Sequence, residues 1–230
     1  MKMNWQTNVF LAAALFVLPA VPATAQDNTN PTNTAPTLKQ LMSTNSVITN
    51  TVGVVLVRIS PGLWAGKFET TQDAYQQVIH GNPSAFKNPQ RPVDSVSWND
   101  AMAFCQRLTD KEKAALPDGF SYMLPTQDQW LALMGDAALP DAVMKLNNGD
   151  ISSTAIVGSR GANSLALYDT RGNVMEWCLD PQDQPYRVLK GGAWDTMLPV
   201  NARSEFRWYA QPDESKNSYG FRVILTGPSN

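Results

Sequence analysis

The sequence predicts an α+β domain with little regular secondary structure. Three observations support this fold class. One continuous apolar run is typical of a buried strand, and three segments have the capping residues or apolar face of a helix. Beyond residue 136, Gly, Pro, Asn and Asp recur every few residues and the apolar runs are short, so most of that part is expected to be ordered loop.

The first predicted strand is Val52–Ile59, a β-branched run that ends at Ser60-Pro61-Gly62. The first predicted helix is Thr70–His80. We expect it to end at Gly81, because glycine is the residue most often found just after the last turn of a helix.

Two further helices have clear N-terminal signals. Helix Ser97–Thr109 has Ser97 as its N-cap and places apolar side chains on one face. Helix Thr126–Asp136 begins with Thr126 and Gln129 at the spacing of a capping box. These local signals predict where both helices begin.

The second half of the chain offers few regular elements. Only Arg187–Lys190 and Gly220–Leu225 are predicted to be strands. Four of the seven tryptophans lie in the third helix or beyond it. Large aromatic side chains can build the core that the missing strands and helices do not supply.

The N-terminal segment has the pattern of a secretory signal peptide. A short polar stretch containing Lys2 precedes the apolar run Val9–Ala20 and the small-residue site Ala23-Thr24-Ala25. We therefore expect residues 1–25 to be removed on export. Residues 26–46, rich in Asn, Thr and Pro, are predicted to be a flexible leader, and residues 47–230 a single domain.

Charge and rare residues exclude several classes of function. The chain has 18 Lys and Arg against 20 Asp and Glu and no long basic run, so nucleic acid is not expected to be a partner. One histidine, His80, and two cysteines are too few for a zinc or histidine-ligated iron site. In an exported protein two cysteines usually pair, so a Cys105–Cys178 disulfide is predicted. A redox or metal-binding thiol pair is the alternative, but no C-x-x-C motif supports it.

A series of short motifs occurs in a fixed order along the chain. The main ones are Arg91–Ala101, Leu124-Pro125-Thr126, Gly172-Asn173-Val174, Glu176-Trp177-Cys178, Lys190–Trp194 and Gly220–Val223. Together they resemble the formylglycine-generating enzyme (sulfatase-modifying factor) family, from about Val52 to Leu225. The resemblance implies a compact C-type-lectin-like α+β fold with little regular secondary structure.

The resemblance also identifies a missing active site. Enzymes of this family oxidise a substrate cysteine to formylglycine with copper held by two cysteines after a G-G-S motif. Here that motif reads Gly191-Gly192-Ala193, and the two ligand positions fall on Thr196 and Asn201. Neither residue offers the thiolate that Cu(I) selects. We therefore expect no copper, no catalytic residue and a catalytically degenerate member of the family.

A structural calcium site is implied by the same resemblance. Asp169 and Glu176 would supply side-chain oxygens, and Gly172 and Val174 would supply backbone carbonyls. Hard oxygen ligands around a glycine-containing turn suit Ca²⁺. The alternative is that Asp169 caps a turn and that Glu176 pairs with Arg171 or another base.

The resemblance suggests an interaction protein of the periplasm. Short, exported members without the copper thiolates include periplasmic regulators of type VI secretion. That implies binding to the periplasmic domain of a membrane Ser/Thr kinase, promotion of its activation, and an outer-membrane lipoprotein as a further partner. Trp208, Tyr209 and Asp195 are the candidate partner-binding residues, placed with Trp194 around the groove where the active site would be.

An enzyme is the competing interpretation. A periplasmic relative oxidises a siderophore precursor without a thiolate pair, and a groove carboxylate such as Asp195 or Glu205 would then be catalytic. A third interpretation, a lectin-like binding module, has no sequence feature of its own in its favour.

Overall fold

The computed structural model describes residues 36–146, 149–179 and 185–228. The predicted signal peptide and residues 26–35 of the predicted leader lie outside these ranges. Within them, no helix combines the length and the apolar character that crossing a membrane requires. The described residues belong to one compact unit that begins at Pro36.

The domain is α+β, as predicted. Its helices are α1 (Leu38–Thr44), α2 (Gln72–Ile79), α3 (Trp98–Glu112) and α4 (Gln127–Met134), with short 3₁₀ turns at Leu139–Asp141 and Pro199–Ala202. Its strands are β1 (Val47–Thr49), β2 (Val55–Ser60), β3 (Leu63–Gly66), β4 (Ser121–Met123), β5 (Met175–Trp177), β6 (Arg187–Lys190), β7 (Trp208–Ala210), β8 (Tyr219–Gly220) and β9 (Ile224–Thr226). Long irregular segments connect them beyond residue 134.

Helix α1 lies in the segment predicted to be a flexible leader, and for residues 37–46 that prediction is wrong. Thr37 and Gln40 form a capping box that fixes the start of the helix. Leu38 and Met42, one turn apart, are buried in the main core. The polar composition of the surrounding segment concealed this apolar pair.

The first sheet has five antiparallel strands in the order β1-β2-β3-β9-β4. The strand predicted at Val52–Ile59 begins only at Val55. The Asn50 side chain accepts hydrogen bonds from the amides of Val52 and Val54, which holds the preceding residues in a turn. Gly53 takes a positive φ of 82° in that turn.

Helix α2 is confirmed, with a different end. Thr71 caps its N-terminus, and the helix ends one residue earlier than expected, at His80, which takes the left-handed conformation. The backbone amide of His80 donates to the carbonyl of Gln76, which closes the last turn. His80 therefore ends a helix and belongs to neither of the two sites described in the next section.

The capping predictions for α3 and α4 are confirmed. Ser97 and Asp100 form a capping box in α3, and Thr126 and Gln129 form one in α4. Helix α3 runs beyond the predicted end to Glu112. The buried carboxylate of Glu112 accepts hydrogen bonds from the Thr51 amide, in the turn before β2, and from the Tyr122 hydroxyl on β4. A tertiary contact thus lengthens this helix.

The second sheet has four strands in the order β7-β6-β5-β8, and only the β5–β8 pair is parallel. Strand β6 has the predicted bounds. The strand predicted at Gly220–Leu225 is wrong as a single element, because Gly220 ends β8 in the second sheet and Ile224 begins β9 in the first. Between them the chain crosses from one sheet to the other, and Arg222 lies at that crossing.

The two cysteines are buried in different hydrophobic clusters. Cys105 lies on α3 in the main core, whereas Cys178 packs with Trp130, Met134 and Val188. The structure shows no disulfide between Cys105 and Cys178, and their pairing stays a prediction.

Candidate functional site

A cluster of buried charges lies where the two sheets meet; we call it the acidic centre (Glu69, Asp169, Glu176 and Arg222). All four residues are at most 7% exposed. The Arg222 guanidinium and the Glu176 carboxylate form an ion pair with Nη2 and Oε1 2.7 Å apart. Arg222 Nε donates to both carboxylate oxygens, at 3.1 and 3.3 Å. This two-pronged geometry is the strong form of a charge-assisted hydrogen bond.

Further hydrogen bonds satisfy the Glu176–Arg222 pair. The Trp130 indole Nε1 donates to Glu176 Oε2 at 2.8 Å. Arg222 Nη1 donates to the backbone carbonyl of Gly66 at 2.8 Å, and Nη2, which also pairs with Glu176, donates to that of Tyr168 at 2.6 Å. A buried ion pair is tolerated only when its other donors and acceptors are occupied in this way.

Glu69 holds the chain that leads into β5. Its carboxylate accepts a hydrogen bond from Asn173 Nδ2 at 2.6 Å and another from the Val174 amide at 3.0 Å. Burial raises the pKa of Glu69 well above its ordinary value, and the charges of Asp169 and Glu176 raise it further. The acidic centre has three carboxyl groups and only one guanidinium group, so it favours keeping one of the carboxyl groups protonated.

Asp169 shares this environment. Burial raises its pKa, while a hydrogen bond from the Gly158 amide to Oδ2, at 2.6 Å, and the charge of Arg222 oppose the rise. Asp169 adopts a φ of 55°, so the chain turns sharply where the sequence predicted a calcium-binding loop.

The arrangement does not fit calcium at the four positions Asp169, Gly172, Val174 and Glu176. Both oxygens of Glu176 are engaged by Arg222 and by the Trp130 indole, so the guanidinium already supplies the positive charge at this carboxylate. Pairing of Glu176 with a base was the alternative, although the base is Arg222 and not Arg171. Calcium at this segment stays a prediction that the geometry opposes.

An open pocket lies on one face of the second sheet; we call it the groove. Its volume is about 280 Å³. It is lined by Met175, Gly192, Asp195, Thr196, Met197, Leu198, Asn201, Phe206, Trp208, Lys216, Ser218 and Tyr219. Strands β5, β7 and β8 supply its floor, and the segment that follows β6 supplies one wall.

A glycine turn brings the wall into place. Gly192 has a φ of 72°, and a Cβ atom there would lie 2.8 Å from the Met144 side chain. Thr196 Oγ1 accepts a hydrogen bond from the Ala193 amide at 2.9 Å, which closes the turn. The positive φ favours glycine at position 192, and the lack of a side chain there leaves room for the end of Met144.

Thr196 and Asn201, the positions that correspond to the copper ligands, both line the groove. The only thiols and the only imidazole of the chain, at positions 105, 178 and 80, lie elsewhere. The groove therefore offers hydroxyl, amide, carboxylate and ammonium groups between aromatic side chains. Such a set is suited to binding by hydrogen bonds and apolar contact.

Two charged residues lie in the groove. Partial burial raises the pKa of Asp195, although a hydrogen bond with Ser218 and the charges of Lys216 and Lys145 oppose the rise. Lys216 pairs with Glu214 at 2.7 Å on the protein surface. An incoming partner would meet a carboxyl group and an ammonium group in the same pocket.

The rim of the groove carries exposed apolar side chains. Met197 is 62% exposed and Leu198 is 60% exposed, and both line the pocket beside Trp208. Sequence reasoning did not select either residue. The signal that could have found them is the Met197-Leu198-Pro199-Val200 run, which begins two residues after the G-G-x-W motif in a segment without strand or helix pattern.

The structure separates the residues that the sequence placed around the groove. Asp195 and Trp208 line it, whereas Tyr209 points to the opposite face of the second sheet because successive residues of a strand alternate. Trp194 is half-buried, stacks edge-on against Phe86 with ring centres 5.3 Å apart, and donates to a backbone carbonyl. Trp194 thus has a packing role.

Several curated proteins are similar in sequence to this chain. It is 30% identical over 192 aligned positions to the chaperone protein LppX of Paenibacillus barcinonensis, covering 57% of this chain and 69% of LppX. It is 28% identical to the inactive Cα-formylglycine-generating enzyme 2 of Bos taurus, covering 57% of this chain and 49% of that protein. It is also 28% identical to the serine/threonine-protein kinase pkn1 of Chlamydia pneumoniae, covering 58% of this chain but 24% of the kinase.

Solved structures share the fold. Treponema denticola variable protein 1 superposes with a TM-score of 0.63 at 23% identity, covering 80% of this chain and 94% of that one. PvdO from Pseudomonas aeruginosa superposes with a TM-score of 0.60 at 19% identity, covering 71% and 80%. At these identities the likeness concerns the fold alone.

The family model described as the sulfatase-modifying factor enzyme 1-like domain matches residues 31–226, which includes both the acidic centre and the groove. The match begins before α1, in agreement with the burial of that helix in the main core. This chain belongs to the sulfatase-modifying factor enzyme 1-like family.

Proposed function

We propose that this protein is a non-catalytic periplasmic regulator of a type VI secretion system, similar to TagR. It binds the periplasmic domain of a transmembrane Ser/Thr kinase of the PpkA type and promotes kinase activation. An outer-membrane lipoprotein similar to TagQ is its further partner. The exported state follows from the predicted signal peptide.

One observation carries the proposal: the groove is an open pocket with an exposed apolar rim that is suited to binding. Thr196 and Asn201 stand where copper ligands would be, and the exposed Met197 and Leu198 border them. Exposed apolar side chains around a pocket are characteristic of protein contact surfaces. The groove is therefore the proposed kinase-binding surface.

The relatives are in keeping with such a role. One is named an inactive formylglycine-generating enzyme, and another is named a serine/threonine-protein kinase that matches this chain over 24% of its own length. A domain of this kind thus occurs within a chain named as a kinase. This supports an association between the fold and kinases, which we extend to a separate periplasmic protein.

The physical mechanism is differential binding. A regulator shifts a kinase toward its active state only by binding that state of the periplasmic domain more tightly than the inactive one. A tenfold preference corresponds to about 1.4 kcal/mol, which is within reach of a few apolar contacts. No bond is made or broken in the groove under this proposal.

The test is direct binding between the chain from Gln26 and the purified periplasmic domain of the host kinase. We expect binding, and we expect Leu198→Ala to weaken it by about tenfold because Leu198 lies on the groove rim. Leu131→Ala is the matched control, since Leu131 is an exposed leucine on α4, outside the groove. Absence of binding by the parent protein at tens of micromolar would contradict the proposal.

A second candidate is an oxidase of siderophore maturation, similar to PvdO. The observation in its favour is the Asp195 carboxyl, which lies in the groove with a raised pKa and is suited to proton transfer. Glu205, the other candidate, is exposed and does not line the groove. Oxidation of a pyoverdine precursor that is lost in Asp195→Asn would favour this candidate over the regulator.

A further inference from the structure

Strand β7 is an open edge of the second sheet. It pairs with β6 on one side, and within the described ranges no strand pairs with its other side. Two of its three residues are exposed, and both are aromatic: Trp208 is 38% and Tyr209 is 57% exposed. Natural proteins usually protect such an edge with charges or proline, because it is a template for another strand.

The register shows which backbone groups face outward. The Val188 carbonyl on β6 accepts a hydrogen bond from the Cys178 amide, so the Val188 backbone faces away from β7. In an antiparallel ladder the direction alternates, so the neighbours of Val188 make the bonds to β7. Tyr209 lies opposite Val188. Its N–H and C=O groups therefore point outward from the sheet edge.

We propose that a second copy of this chain pairs with this edge. The β7 strands of the two copies run antiparallel across a twofold axis at Tyr209, and the two four-stranded sheets become one sheet of eight strands. The N–H group of each Tyr209 donates a hydrogen bond to the C=O group of the other Tyr209. This inference does not depend on the kinase proposal, although the two surfaces share Trp208, which lies on β7 and also lines the groove.

The edge is complementary to itself. In this register Tyr209 faces the second copy's Tyr209, and aromatic cross-strand pairs are stabilising. Trp208, which is large and exposed, faces the second copy's Ala210, which is small. Arg207 faces the second copy's Gln211, so no like charges oppose each other. Pro212 follows directly, which ends the edge and limits the pairing to this short segment.

The experiment measures the mass of the chain from Gln26 by light scattering, from about 1 to about 200 µM, where a weak dimer dissociates on dilution. We expect a concentration-dependent dimer. Tyr209→Pro removes the outward N–H at an edge position where proline is tolerated, and it should be monomeric and folded. Tyr209→Phe keeps the N–H and the ring, and it should remain dimeric.

A charge pair tests the register. Gln211→Arg opposes Arg207 across the twofold axis, and Gln211→Glu attracts it. Each contact occurs twice, so the dimer dissociation constant should rise about 2- to 30-fold in the first variant and fall by a similar factor in the second. The comparison of these two variants tests the proposed pairing of β7 strands even if Tyr209→Pro does not fold.

Three outcomes would overturn the proposal. A parent protein that is monomeric throughout the concentration range has no such pairing. A dimer that survives in Tyr209→Pro uses another surface. Equal dissociation constants for Gln211→Arg and Gln211→Glu would mean that Arg207 does not face Gln211 of a second copy, so the proposed pairing does not form. The open edge of β7 would then be left for an extended segment of another protein.

Discussion

The acidic centre and the groove are built from adjacent strands but use opposite principles. In the acidic centre, charged side chains are buried and their hydrogen bonds are satisfied by Arg222, Trp130 and Asn173. In the groove, apolar side chains such as Leu198 are exposed to solvent. The first arrangement stabilises the fold and the second leaves binding surface free. We therefore expect substitutions in the groove to affect the stability of the fold less than substitutions in the acidic centre.

The largest expected effect comes from removing the base at the acidic centre. Arg222→Met leaves three buried carboxyl groups without their cation and should lower the free energy of unfolding by about 3–5 kcal/mol. Leu198→Ala in the groove rim should change it by less than about 0.5 kcal/mol. Urea unfolding of both variants measures the contrast. Equal stabilities would mean that the acidic centre does not hold the two sheets together.

A matched pair of tryptophans sharpens the same contrast. Trp130 donates its indole N–H to buried Glu176, and Trp208 donates to the Tyr219 hydroxyl at 2.7 Å on the rim of the groove. Trp130→Phe should lower the free energy of unfolding by about 1–3 kcal/mol, because a buried acceptor loses its donor. Trp208→Phe should cost less than about 1 kcal/mol, because Lys216 also forms a hydrogen bond with the Tyr219 side chain. Urea midpoints that fall in the reverse order would contradict this assignment.

The pH dependence of stability should report Glu69. Its pKa is raised in the folded protein, so above the ordinary value of 4.5 the unfolded chain releases this proton more readily. The free energy of unfolding should fall as the pH rises from about 5 towards the folded pKa. Glu69→Gln should show a shallower decline. Thermal unfolding of both proteins between about pH 5 and pH 8 tests this, and identical slopes would assign the dependence to another group such as Asp169.

The smallest expected effect concerns calcium. Because Arg222 already neutralises Glu176, addition of millimolar Ca²⁺ or of a chelator should move the melting temperature by no more than about 1 °C. A bound ion at 100 times its dissociation constant would add about 2.7 kcal/mol and raise the melting temperature by several degrees. Such a rise would restore the calcium site that the family resemblance implies.

Local elements were well predicted because their signals lie within a few residues. The capping boxes at Ser97 and Thr126 and the strand Arg187–Lys190 depend on neighbours at short spacing, and the structure has them where expected. Helix α1 was missed because its buried apolar pair lies in a segment made mostly of polar residues. The groove was found through the family motif, but its exposed rim was not.

The sequence by itself determined the family, the α+β class, the capped helix starts and the absence of thiolates at Thr196 and Asn201. Only the tertiary structure decided that Glu176 pairs with Arg222, 46 residues away, and that Trp208 and Tyr209 lie on opposite faces of one edge strand. The reason is that caps and ligand types are properties of adjacent residues, whereas charge pairing and exposed edges depend on how distant strands are brought together. The parallel pairing of β5 with β8 places Arg222 beside Glu176.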